Sequence, residues 1–296
     1  MTIADPDHYP PPPLRAGDSI SRQIQADSNV GRANYGESTR MAKVSIEERW
    51  AKIEARVERA DAAFKTQFRE HLDMSWVFHD SALEGTVYTF QELKTAIDPN
   101  ITVVPDSSLQ PICEEIRKHR EAIHWVRDFA SKKRQPINLE SLKKIYLTLH
   151  PGDGDIKNVK FRADVPQHRL YFHEYAAPDK IPLKVKAVFD WLADPETRKS
   201  RSAVRVASRA HYDLLRTFPF DKDSGKVARL FMNLLLMRAG YPPAIVHHAE
   251  RQRYFDSLKG SPVAMNAIVQ EAIDNALSSS EKMVDEHETR TRAFIS

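Results

Sequence analysis

Two apolar stripes on either side of a polar, charged segment constrain this chain more than any other feature. Ala203, Ala207, Ala210, Leu214 and Leu215 recur at helical spacing until Pro219, and Val227, Leu230, Phe231, Leu234 and Leu235 recur until Gly240. Each stripe must bury its apolar face against a neighbour. The segment from Phe218 to Lys226 is therefore expected at a turn between two core helices.

The remaining pattern is also helical. Ser45 with Glu48 fits a capping box, and Trp50, Ile53, Val57, Ala60 and Phe64 follow at spacings of three and four, predicting a helix to about Leu72. A short helix is expected over His71–Ala82, ending before Gly85, and Thr89 with Glu92 offers a second capping box ahead of Leu93 and Ile97. Amphipathic stretches follow at Leu109–Phe129, Leu139–His150, Leu183–Leu192, Gln252–Leu258 and Val263–Glu288. Between His150 and Pro182 the chain turns at Pro151, Gly152 and Gly154, and Phe161–Arg162 with Arg169–His173 are expected as short hairpin strands. The fold class is all-α, with one small β-hairpin.

Four segments result. Residues 1–41 combine Pro10–Pro13 with scattered glycines and few large apolar groups, so they are read as a disordered arm that cannot offset its own ordering entropy. Residues 42–100 hold N-terminal helices, 101–260 the core and 261–296 a C-terminal helix. No run of eighteen apolar residues occurs, which excludes a helical membrane span. The acidic, proline-containing start lacks a Sec-type signal, and the single cysteine, Cys113, leaves no internal disulfide; together these favour a cytoplasmic setting, or export by a specialised secretion machine. With 44 basic and 41 acidic residues interleaved to a net charge of +3, no basic face is set up for nucleic acid.

Taken on its residues alone, Phe218-Pro219-Phe220-Asp221-Lys222-Asp223-Ser224-Gly225-Lys226-Val227-Ala228-Arg229 is a helix start with two lysines and an arginine in and around its first turns, where Asp223 or Ser224 is placed to cap. Unpaired N–H groups and the helix dipole suit such an end to phosphate, and an ordinary capped turn accounts for it equally. Ser224-Gly225-Lys226 is not a P-loop, because Phe220 takes the place of the first glycine and a helix rather than a strand precedes it.

In context the segment resembles the Fic (filamentation induced by cAMP) motif, which in active members reads His-Pro-Phe-x-Asp/Glu-Gly-Asn-Gly-Arg-x-x-Arg. Pro219, Phe220, Gly225 and Arg229 match, and Lys226 replaces the first arginine. Phe218, Lys222, Asp223 and Ser224 stand where His, Asp/Glu, Gly and Asn belong. The resemblance runs from about Trp76 to Tyr254. It takes in Ala207, His211 and Leu215 before the motif, and Gly240-Tyr241-Pro242-Pro243 with Arg253-Tyr254 after it. Upstream, Ser81 to Gly85 resembles the self-inhibitory Ser/Thr-x-x-x-Glu-Gly/Asn signature. Glu84 and Gly85 fit it, and Asp80 departs from it at the first position.

The resemblance implies a nucleotide cleft for ATP or a related nucleotide, lined by Ser224, Gly225, Lys226 and Arg229, and a protein target held by a flap at Tyr171, Phe172 and His173. It also implies that Glu84 faces Arg229. In active relatives the histidine takes a proton from the target hydroxyl, the acidic residue ligates Mg²⁺, and AMP passes from ATP to Ser, Thr or Tyr. Phe218 cannot accept a proton, and a positioned base is typically worth about 10²–10⁴ in rate. Lys222 repels the Mg²⁺ that needs oxygen ligands, although Asp221 or Asp223 stands one residue away to take over. Asp223, if it caps the helix, would occupy the N–H groups that phosphates need.

Two functions follow. The first is a pseudoenzyme derived from protein adenylyltransferases that binds a nucleotide or a protein partner. The second is a transferase with rewritten chemistry at Lys222, Asp221 and Asp223, acting on protein hydroxyls. By analogy with relatives that carry an N-terminal inhibitory helix, a homodimer is a further expectation. No metal is assigned to the twelve histidines, since His247 and His248 are adjacent and expected to face apart. His211 is expected as a core histidine, with a surrogate-base role needing it to reach past Phe218. Arg162 and Arg169 are read as surface charges, or as substrate contacts beside the flap.

Overall fold

The computed structural model describes residues 44–98, 100–105, 107–166 and 175–295, with side chains at all of these but Arg198, Phe294 and Ile295. The expected arm and the flap residues Tyr171, Phe172 and His173, with Arg169, lie outside the described residues.

Eleven α-helices are present among the described residues: α1 (Ile46–Arg59), α2 (Ala62–Leu83), α3 (Phe90–Ile97), α4 (Leu109–Ser131), α5 (Leu139–Leu149), α6 (Ile181–Ala193), α7 (Pro195–Ser200), α8 (Ala203–Thr217), α9 (Ser224–Arg238), α10 (Arg251–Asp256) and α11 (Pro262–Ile295). Among the described residues there is no strand, and Phe161 and Arg162 are irregular backbone rather than hairpin. Both capping boxes form, with Glu48 N–H donating to Ser45 Oγ at 3.2 Å and Glu92 N–H to Thr89 Oγ1 at 3.2 Å.

The long first helix expected to Leu72 is instead two. Ala60 is extended, and Asp61 starts a new helix by accepting from Phe64 N–H at 2.8 Å. A carboxylate three residues before the next apolar residue outweighed the continuing periodicity. The helix it starts runs unbroken through the short helix expected at His71–Ala82.

The two stripes pack as expected. Helix α9 lies against α8 and α4, while α11 covers α8 and reaches α1. All but three of the fifteen residues of α9 are buried, including Ser224, Lys226, Arg229 and Asn233. A helix buried nearly all round carries its polar groups into the core, where each needs a partner. Asn233 finds both of its partners on Ala244, taking its N–H at 2.7 Å and donating to its carbonyl at 3.3 Å. The charged residues at the start of α9 find theirs in the site.

Candidate functional site

The turn between α8 and α9 is built on two left-handed residues. Phe218 (φ +50°) ends α8 with its N–H on Leu214 O at 2.8 Å, and Asp223 (φ +48°) precedes α9. A bulky residue in this region costs about 1–3 kcal/mol unless its surroundings fix it. Arg162 does the fixing. Far from being a surface charge, it is 2 % exposed, donating through Nε to Phe218 O at 2.6 Å and through its terminal nitrogens to Thr217 O at 3.2 Å, Asp164 O at 2.7 Å and Ala176 O. Its own N–H reaches Pro219 O at 2.9 Å. Burial lowers the Arg162 pKa, and the carbonyls of Thr217, Phe218, Asp164 and Ala176 take the place of water.

Phe218 is buried with its ring 5.0 Å from that of Tyr175, so the position where the resemblance calls for a base is an apolar contact. Ser224 serves the turn, its hydroxyl accepting from Phe220 N–H at 2.7 Å and donating to Phe220 O at 2.8 Å. Asp223 does not cap α9 as expected. Its carboxylate turns aside to His150 Nε2 at 3.0 Å and Lys226 Nζ at 3.1 Å. Burial raises the Asp223 pKa, but His150 and Lys226 outweigh it and hold the carboxyl well below its ordinary range. His150 had no signal in the sequence. It follows the last residue of α5, seventy-three residues from Asp223, and only packing brings the two together.

Each cation of the motif meets a carboxylate. Lys226, nearly buried, lies 3.2 Å from Glu115 and 3.1 Å from Asp223. Burial opposes its charge, but the two carboxylates outweigh it and keep the ammonium above the ordinary lysine range. Lys222 is exposed and lies 3.6 Å from Asp153. Arg229 donates through Nη2 to Glu84 Oε1 at 2.6 Å, through Nε to Asp80, and through Nη1 to Tyr254 OH at 3.3 Å. Asp80 in turn lies 2.9 Å from His119 Nε2.

The end of α2 aims Glu84. Thr86 N–H bonds Ser81 O at 3.0 Å and Gly85 N–H bonds Ala82 O at 3.1 Å, with Gly85 at φ +99°, a left-handed helix stop that glycine adopts without strain. The Glu84 carboxylate then lies directly over Gly225 at the start of α9. It thus sits beside the N-terminal turn of α9 while paired to Arg229.

Residues 136–236 match the model of the Fic/DOC family. The chain carries a Fic-family domain. It is 27% identical to the protein adenylyltransferase Fic of Nematostella vectensis over 198 residues, 66% of this chain and 44% of that protein, and 29% identical to that of Drosophila grimshawi over 226 residues, 73% of this chain and 43% of that protein. It thus spans under half the length of these relatives. Among solved structures, a Fic domain containing signaling protein from Bacteroides thetaiotaomicron superposes at a TM-score of 0.66 with 19% identity, covering 82% of this chain and 98% of that one. Fic-1 (aa134–508) from C. elegans superposes at 0.60 with 21% identity, covering 80% of this chain and 71% of that one. These likenesses establish the all-α Fic fold.

His211 is fully buried behind Arg229, its Nε2 2.8 Å from Tyr254 OH, and burial together with the Arg229 charge pushes its pKa down to about 3. It is a core histidine. His247 and His248 do not face apart. His247 stacks on His79 at 4.2 Å, and His248 Nδ1 lies 3.3 Å from His79 Nδ1, because the chain passes from extended backbone at His247 into a 3₁₀ turn that begins at His248.

Lys222 presents an ammonium where the resemblance expects the oxygen ligand of Mg²⁺, and Asp223 is committed to His150 and Lys226.

Proposed function

We propose that this Fic-domain protein, related to protein adenylyltransferases, is a noncatalytic member whose cleft serves to bind a nucleotide or a protein partner. One observation carries the reading: all three cations between Phe218 and Arg229 are ion-paired to carboxylates of the chain itself. Phosphate binding at a helix start draws on uncancelled positive charge and free N–H groups. Here Glu84 lies over the helix start, and the buried charges of Lys226 and Arg229 are cancelled before any ligand arrives. Phe218 adds a second deficit, since nothing at that position accepts a proton from a target hydroxyl.

What the chain's residues do supply is a braced helix start whose buried charges are paired within the chain. Arg162 holds the turn, Asp223 restrains Lys226, and Glu84 closes the mouth of α9. A partner that reaches the cleft competes with these internal contacts, so binding to it is linked to release of Glu84. Calorimetry with ATP and ADP, with and without Mg²⁺, alongside labelled-ATP transfer to the protein itself and to lysate proteins, tests the reading. Binding that does not depend on metal, without transfer, is expected; metal-enhanced binding with transfer overturns it.

A second reading, a transferase with rewritten chemistry, is favoured by the His150–Asp223 pair. A half-buried imidazole on a carboxylate beside α9 is the arrangement of a general base. On this reading labelled transfer occurs and His150→Ala abolishes it, whereas Phe218→Ala leaves it intact.

A further inference from the structure

Arg229 is held by two carboxylates of one helix, one turn apart, and the two holds differ in kind. Glu84 is the C-cap residue of α2, beside the left-handed Gly85, and its side chain is 16% exposed. It can rotate out to water. Asp80 lies inside the helix at 3% exposure and has no such route. Its carboxylate is held between Arg229 Nε and His119 of α4, and the Asp80 carbonyl also accepts from Arg229 Nη2 at 3.3 Å. Burial raises the Asp80 pKa, but Arg229 and His119 outweigh it and keep the group ionised.

We infer that Asp80 is a fixed counter-ion that keeps Arg229 from serving a polyphosphate ligand, whether or not Glu84 leaves. The inference rests on the noncatalytic reading of the cleft and adds its regulation: two locks, of which the visible one, Glu84, is the lesser. When Glu84 swings out, one side of Nη2 and the space over Gly225 are freed. The guanidinium charge stays cancelled by Asp80, and its plane stays fixed by Asp80 and Tyr254. An incoming triphosphate then meets N–H donors without the net positive charge that would make them strong partners. In a site removed from water, one retained, fully buried opposite charge at hydrogen-bond distance outweighs the loss of a partly buried one.

The experiment compares the full chain with Glu84→Gly, Asp80→Asn and the double variant by ATP calorimetry, with thermal melts to report folding. Asparagine keeps the size of Asp80 and an acceptor for Arg229 Nε while removing the charge. Glu84→Gly alone is expected to change ATP affinity by no more than about twofold, and the double variant to gain at least about tenfold. A full gain from Glu84→Gly alone overturns the inference, as does no gain in a folded double variant. If the Asp80 variants do not fold, exchange of the Arg229 Nε proton by NMR in Glu84→Gly decides: protection equal to the parent's supports a hold by Asp80, and fast exchange overturns it. Label transfer by any of these variants, all with Phe218 in place, would instead refute the noncatalytic reading and leave the lock to be judged on affinity alone.

Discussion

Glu84 and Gly225 fit together only because residue 225 has no side chain. A β-carbon built there would overlap Glu84 Oε1, lie 3.0 Å from its Cδ and lie 3.1 Å from Arg229 Nη1. Gly225 sits in the first turn of a helix, where alanine is intrinsically the better residue by about 1 kcal/mol. A β-carbon at this position is therefore excluded by the carboxylate above it, against the local helix preference.

That relationship gives the first prediction. Gly225→Ala should destabilise the parent by about 1–3 kcal/mol, because it displaces Glu84 from Arg229. In a Glu84→Gly background the same change should be neutral or mildly stabilising. A double-mutant cycle by chemical denaturation reads the coupling, and additivity of the two changes would show that the contact carries no energy.

Arg162 should tolerate no replacement. Its guanidinium donates to four carbonyls, three of them from Thr217, Phe218 and Ala176 around the turn. Arg162→Lys keeps the charge but cannot span them, and Arg162→Ala strands them. We expect a loss of about 3 kcal/mol or more for alanine and most of that for lysine, read as a fall in Tm. A lysine variant as stable as the parent would mean that charge, not the fork of donors, matters here.

Phe218→His alone should yield no robust AMP transfer, although the fold should accept it, since histidine is better tolerated than phenylalanine at φ +50°. Restoring Phe218→His, Lys222→Asp and Asp223→Gly with Glu84→Gly supplies the base, the metal ligand and the open turn. The structure adds a fifth change, Asp80→Ser, before Arg229 is available. Labelled-ATP transfer should be strongest in the fivefold variant. Transfer by the unaltered chain in Mg²⁺, indifferent to Phe218→Ala, would refute the scheme.

Acid should loosen the protein through two histidines that resist protonation in the fold. Burial first, then the neighbouring His247 and His248, push the His79 pKa down to about 4 from its ordinary value near 6.5. Above the ordinary value both folded and unfolded chains hold the ring neutral and the stability is complete. As pH falls below it, the unfolded chain takes up a proton that the folded chain refuses, so stability declines until about pH 4. His211, pushed down to about 3, acts with the same sign. Denaturation midpoints from pH 7 to pH 4 should therefore fall less steeply for His79→Gln than for the parent, and parallel profiles would exclude the histidine.

The sequence by itself determined the helices around the motif and the position of the motif between them. The stripes on α8 and α9, the capping boxes at Ser45 and Thr89, and the stop at Gly85 are local signals, carried by spacing and backbone preference that do not need the rest of the chain. It also placed Glu84 opposite Arg229 through resemblance. The partners of each charge were decided by tertiary structure. Asp223 reads as a helix cap in one dimension, and it turns to His150 because α5 brings an imidazole within 3.0 Å. Arg162 reads as a surface charge and is buried, because a left-handed Phe218 leaves carbonyls that need a donor. Asp80 reads as a mere departure from a signature, yet it holds Arg229 from inside α2. Periodicity and capping act over a few residues, whereas a buried charge is satisfied by whichever helix packs against it.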